Sequence, residues 1–226
     1  MRTLTRELQA QLTPQKALEL LKEGNKRFVN NLKINRNLLQ QVNETAEGQY
    51  PFAFILSCID SRTSAELIFD QGLGDIFSCR IGGNILNKDI LGSMEFACKI
   101  AGSKIIVVLG HTKCGAIKGA CDGLKLGNLS TLLTKVKPAI NAEVFTKKDR
   151  TAGNAVYVEN VARLHVLHTL KQIPEQSPIL AELIRENKII LIGGMYRVET
   201  GFVELYESEM IVADNFRRGK KIMKFA

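Results

Sequence analysis

The chain has 226 residues, 45% of them hydrophobic and 24% charged, with a formal net charge of +8. That balance excludes a disordered chain, which would lack the apolar residues for a core, and the length fits one domain. Five cysteines, an odd number in a chain of this size, exclude a disulfide framework; free thiols suit a reducing compartment, so a cytoplasmic protein is expected.

The first ten residues, Met1 to Ala10, lack the apolar stretch of a secretory signal. Residues 13–30 are predicted to be a helix: Thr13 is placed to cap it, Pro14 suits its first position, and Ala17, Leu18, Leu21 and Phe28 fall near helical spacing. Such an arm packs either on a neighbouring subunit or on its own core. Residues 51–57 form a short apolar run that reads as a buried strand, leading directly into Cys58-Ile59-Asp60-Ser61-Arg62. Thr63 and Glu66 have capping-box spacing for a helix after it.

Residues 75–81 read as a second strand ending in the turn Gly82-Gly83-Asn84, and residues 90–101 as a helix with Met94, Cys98 and Ala101 on one face. The clearest strand is 104–109, followed by Gly110-His111-Thr112-Lys113-Cys114-Gly115 and a short helix. Its apolar run Ile105–Leu109 is among the longest in the chain and far too short to span a bilayer, so no membrane association is expected. Residues 125–151 are polar, lysine-rich and helical in parts. Residues 154–171 read as a helix, 188–194 as a fourth strand and 202–206 as a fifth at the sheet edge. The basic cluster Arg217, Arg218, Lys220, Lys221 and Lys224 reads as a solvated surface, with no motif around it that would make it a nucleic-acid site.

Apolar strands alternating with helices predict an α/β fold, a mostly parallel sheet flanked by helices and preceded by a helical arm. The expected division is one domain over 1–226, with an arm at 1–48 and an α/β core at 49–226. Ligands in such sheets bind beyond the carboxyl ends of strands. Cys58 follows the first strand, and His111 and Cys114 follow the third. Thiolate and imidazole are zinc's preferred donors, and three protein ligands leave a catalytic zinc one position for water or for the displaceable carboxylate of Asp60. Cys98 reads as core, and Cys79 and Cys121 have no histidine at ligand spacing. His165 and His168, three apart on a helix, read as surface or packing residues because no acid or cysteine completes a set with them.

These segments resemble the β-class carbonic anhydrase family over most of the chain, from Gly24-Asn25-Lys26-Arg27-Phe28 through Gln49-x-Pro51, Cys58-Ile59-Asp60-Ser61-Arg62, Phe77-x-x-Arg80-x-Gly82-Gly83-Asn84, Ser93-Met94-Glu95-Phe96-Ala97 and Gly110-His111-Thr112-Lys113-Cys114-Gly115. The resemblance implies one Zn2+ per chain on Cys58, His111 and Cys114. It implies reversible hydration of carbon dioxide to bicarbonate by a metal-activated hydroxide, with Asp60 and Arg62 as a catalytic dyad. In some members that aspartate swings onto the metal instead, which makes Asp60 an alternative ligand. Gln49, Phe77, Phe96 and Gly115 match substrate-pocket positions, the phenylalanines partly across a dimer interface. A homodimer or homotetramer is implied, with no nucleic-acid or membrane partner.

Two residues depart from the family pattern. Ile59 replaces a small polar residue and is expected to point away from the metal. Thr63 replaces an aliphatic residue and acts either as the helix cap or as part of the pocket wall. Two rivals keep the same site: hydrolysis of carbon disulfide or carbonyl sulfide, and a non-catalytic zinc scaffold, whose expected mark is a damaged Asp60–Arg62 pair or a fourth permanent ligand. A dinucleotide-binding domain is disfavoured, because no Gly-x-Gly-x-x-Gly follows the first strand.

Overall fold

A computed structural model describes residues 3–212; the basic cluster at 217–224 lies outside the described residues. The chain opens with three helices, α1 (Arg6–Gln11), α2 (Pro14–Val29) and α3 (Leu38–Glu44). Thr13 caps α2 as its sequence predicts, its side chain accepting from the Lys16 N–H, with Pro14 in the first turn. α2 buries Ala17, Leu18 and Leu21 in one core cluster with strand residues Ala53, Ile55, Ile105 and Val107, so the arm packs on its own sheet. Gly24 allows the close approach: a Cβ there would lie 1.8 Å from the Phe69 carbonyl oxygen. Asp70 locks the far end of the arm, accepting from Arg27 Nε and from Arg36 Nη1.

The sheet has the order β2-β1-β3-β4-β5, built from β1 (Ala53–Ser57), β2 (Ile76–Arg80), β3 (Ile105–His111), β4 (Ile190–Tyr196) and β5 (Val203–Leu205). The first four strands run parallel, and β5 pairs antiparallel to β4 at the edge, over the segment where a fifth strand is expected. β1, β3 and β4 are buried along their whole length, as strands covered on both faces must be. Phe54, Leu56, Ile106 and Val108 face a second core cluster, shared with the helix Ala155–Gln176. β2, at the other edge, alternates between buried and open positions.

The connecting helices are α4 (Ala65–Ile68), α5 (Lys88–Glu95), α6 (Gly115–Cys121), α7 (Gly127–Thr134), α8 (Lys137–Ala142), α9 (Ala155–Gln176) and α10 (Pro178–Arg185). Two sequence expectations shift here. The helix expected over 90–101 begins earlier, where the Asn87 side chain caps α5, and its second half, Phe96–Ile100, is wound as a π-helix. α9 runs past residue 171 and through Pro174 in its last turns, before Ser177 caps α10. Met94 and Cys98 are buried, as the pattern predicts.

Candidate metal centre

β1 and β3 are neighbours and parallel, so their carboxyl ends emerge side by side. Cys58 is the first residue after β1, His111 is the last residue of β3, and Cys114 precedes α6. All three are buried, and their candidate ligand atoms lie within 4.8 Å of one another. The Cys58 and Cys114 sulfurs are 3.9 Å apart, far beyond a disulfide. Two sulfurs each about 2.3 Å from a tetrahedral zinc would sit roughly 3.8 Å apart.

The histidine carries the decisive polarity. His111 Nδ1 lies 2.9 Å from the Thr112 carbonyl, so Nδ1 is the protonated nitrogen and donates to that oxygen. This leaves Nε2, which is buried, as the ring nitrogen available to the cluster. Buried polar atoms are almost always paired, and a buried imidazole nitrogen grouped with two sulfurs in this way suits a metal ligand. The donor set fits a zinc ion.

The sulfurs are electrostatically unequal. The Cys114 thiol, helped by His111 and by the backbone N–H groups of Asp60 and Gly83, holds the Cys58 pKa well below the usual thiol range despite burial. Cys58 and burial push Cys114 the other way. A metal held by both sulfurs would need both as thiolates, so its binding would release protons from the pair. Gly83 donates its N–H to Cys58 Sγ at 3.3 Å from a left-handed φ of 67°. Only glycine adopts that conformation cheaply.

Asp60 faces Arg62. Arg62 Nε donates to Oδ1 at 2.9 Å and Nη2 to Oδ2 at 2.8 Å, which holds the carboxyl well below its ordinary pKa. The carboxylate is not among the grouped ligand atoms of the cluster. Thr63 is not the helix cap expected of it: Ser64 occupies that position, and α4 is a single turn. The Thr63 hydroxyl instead lies 2.8 Å from the carbonyl oxygens of both Cys58 and Asp60, bracing the turn that carries them. Arg80, from the end of β2, donates to the same two carbonyls. Ile59 is exposed and turned outward.

The family model for carbonic anhydrase matches residues 53–203. Carbonic anhydrase 2 of Mycobacterium tuberculosis H37Rv is 33% identical over 196 residues, spanning 83% of this chain and 90% of its own length. The carbonic anhydrase of Mycolicibacterium smegmatis is 32% identical over 198 residues, spanning 85% and 93%. This chain belongs to the β-class carbonic anhydrase family. Among solved structures, the β-carbonic anhydrase CafA of Aspergillus fumigatus superimposes with a TM-score of 0.67 at 25% identity, covering 85% of this chain and 90% of that one. A tetrameric β-carbonic anhydrase from Sordaria macrospora gives a TM-score of 0.62 at 25% identity, covering 74% and 90%.

The remaining residues that match family pocket positions are scattered within one chain of this carbonic anhydrase. Gly115 opens α6 beside Cys114, and a Cβ there would meet nothing within 4 Å. Phe77 and Phe96 stack edge to face, with ring centroids 6.2 Å apart. They line a groove of about 600 Å3 along β2, and none of the three cluster residues lines it with them. Gln49 precedes β1 and is exposed at the strand end opposite Cys58, about 17 Å of strand away. His165 is buried on α9 as a packing residue, and His168 is half-buried one turn on. The bracing roles of Thr63 and Arg80 are absent from the sequence reading. The only signal for them is their place beside the two motifs.

Proposed function

We propose that the chain catalyses the reversible hydration of carbon dioxide to bicarbonate and a proton, with one zinc ion on Cys58, His111 and Cys114. The observation that carries this reading is the buried Nε2 of His111 grouped with two close sulfurs, with Asp60 drawn aside by Arg62. Among the described residues the cluster supplies three ligands and no fourth, the ligand count of catalytic rather than structural zinc sites. Bound there, zinc supplies a Lewis acid that makes a water nucleophilic near neutral pH.

The chain's own residues do the rest. Arg62 keeps Asp60 ionised and fixes its plane. Asp60 then accepts the proton of the attacking water as a hydrogen bond, which turns a lone pair towards the substrate carbon. The Gly115 N–H, with open space beside its Cα, is the donor available to a substrate oxygen. The intact Asp60–Arg62 pair speaks against a non-catalytic scaffold.

The apolar wall and Gln49 require a second copy. Phe96 is 55% and Ile100 72% exposed, and among the described residues β2 leaves one edge of the sheet unpaired. We therefore read the working form as a homodimer or homotetramer in which a neighbour's Gln49, Phe77 or Phe96 completes the pocket. Its five free thiols suit the cytoplasm. Among the described residues no helix is long and apolar enough to cross a membrane.

Stopped-flow hydration of carbon dioxide, run with and without a chelator and beside a carbonyl sulfide assay, tests the reading. The expected result is chelator-sensitive hydration with about one zinc per chain. Zinc-loaded protein that turns over carbonyl sulfide but not carbon dioxide would transfer the site to the hydrolase reading.

A further inference from the structure

The two metal-ligating motifs are adequate to bind an ion only if the His111–Cys114 loop keeps its shape, and that loop has few intrinsic reasons to. Lys113 sits in the left-handed region at φ 57°, an unfavourable conformation for a long side chain. The orientation of His111 depends on one backbone atom, the Thr112 carbonyl that accepts from Nδ1. Whatever fixes Thr112 and Lys113 therefore fixes the imidazole.

The clamp comes from the turn between β4 and β5. The Thr112 N–H donates to the Tyr196 carbonyl at 2.9 Å. The Thr112 hydroxyl accepts from the Val198 N–H at 3.1 Å and donates to Glu199 Oε2 at 2.9 Å. The other carboxylate oxygen of Glu199, Oε1, pairs with Lys113 Nζ at 3.0 Å. One carboxylate thus spans both residues between the two ligands. The turn that presents it is anchored in turn: Asn25 of α2 donates to the Gly201 carbonyl and accepts from the Val203 N–H, both at 2.9 Å.

We propose that Glu199 is a positioning residue for the metal centre, holding Thr112 through one oxygen and Lys113 through the other, and so fixing the carbonyl that orients His111. The inference rests on the reading of Cys58, His111 and Cys114 as the ligands. An exposed ion pair alone would contribute little. Glu199 is different because the hydroxyl it also holds belongs to a buried residue directly attached to a ligand.

The test uses the full chain loaded with cobalt(II) in place of zinc, as wild type, Glu199→Gln and Glu199→Ala. Cobalt d–d absorption reports ligand geometry, and the rate of metal transfer to a chelator reports retention. Supporting partners of a ligating histidine are worth roughly 10–100-fold in metal affinity. Glu199→Ala is expected to release metal about 10-fold faster with a shifted cobalt spectrum. Glu199→Gln, which keeps an acceptor for Thr112 but loses the charge facing Lys113, should fall between. A generally loosened fold would speed release without the graded spectral shift. Should the alanine variant not fold, the glutamine variant and Thr112→Val carry the test. Wild-type spectrum and release rate in the folded variants would overturn the proposal for Glu199 alone. Failure of the wild type to take up metal would instead overturn the ligand assignment beneath it.

Discussion

Asp60 accepts three hydrogen bonds from one neighbour: Nε and Nη2 of Arg62 reach its two oxygens at 2.9 and 2.8 Å, and the Arg62 backbone N–H adds a third at 3.0 Å. The fork leaves the carboxylate no rotational freedom and keeps it charged far into acid. An aspartate held this tightly beside the cluster is open to two roles, orienting a reacting group or ligating the metal.

Asp60→Asn separates these roles. The amide has nearly the same shape but lacks the charge and half the acceptor capacity. Because the carboxylate lies outside the grouped ligand atoms, zinc content is expected to stay at the wild-type level. The hydration rate should fall by roughly 10²–10⁴-fold, the range for losing a positioned group that handles a proton. Metal analysis and stopped-flow on the same preparation check both halves. A variant that loses zinc would make Asp60 a ligand, and one with unchanged turnover would remove it from the chemistry.

The cluster of Cys58, His111 and Cys114 is legible in the sequence because each lies at or just past the end of an apolar run whose register the sheet dictates: β1 stops at Ser57 and β3 at His111. What holds them is not legible. Arg80 reaches the Cys58 carbonyl from 22 residues away, and Glu199 reaches Thr112 from 87. No local pattern encodes such contacts. Thr63 misleads for a related reason: its spacing to Glu66 is that of a capping box, but the helix it would cap is one turn long and two nearby carbonyls compete for the hydroxyl. The separation of Gln49 from the cluster is equally invisible. Gln49 lies only nine positions before Cys58 in the sequence, yet an extended strand puts them at opposite ends of the sheet.

Gly83 is constrained twice. Its φ of 67° is costly for any residue with a Cβ, and a Cβ there would lie 3.3 Å from that of Ala116. Gly83→Ala is expected to cost about 1–2 kcal/mol from the left-handed backbone alone. Because the Gly83 N–H donates to Cys58 Sγ, a shift of this turn should also speed metal release to a chelator. Urea unfolding gives the first quantity and chelator kinetics the second. Faster release without destabilisation, or the reverse, would show that the turn and the thiolate are not mechanically linked.

Asp70 makes a separate, purely structural prediction. Its side chain is 3% exposed and that of Arg36 7%, and Arg27 closes the same carboxylate from α2. Asp70→Asn keeps the size and tolerates the φ of 45°, but leaves a buried guanidinium without its counter-charge. Breaking a buried pair in this way costs about 3–5 kcal/mol. Urea unfolding at saturating zinc should show that loss while turnover per folded, metal-loaded chain stays near wild type. A cost below 1 kcal/mol would mean that water reaches Arg36.

His165 sets the acid limit of the fold. It is 3% exposed, and burial, assisted by the charge of His168 and opposed by a hydrogen bond to the Gly83 backbone, pushes its pKa down to about 4. An unfolded histidine titrates near 6.5. Between these values the unfolded chain binds a proton that the folded chain refuses, so stability is unaffected above pH 6.5 and drains away as pH falls towards 4. At about 1.4 kcal/mol per unit, the loss at pH 5 is about 2 kcal/mol. His165→Leu removes the titration and a buried polar ring that is at best partly satisfied, so it should match or exceed the wild type at pH 7. The advantage of the variant should then grow by about 2 kcal/mol at pH 5. Metal loss in acid is common to both proteins and cancels in that difference. An advantage equal at the two pH values would mean that His165 takes up its proton within the folded state, and that the space around it is wet.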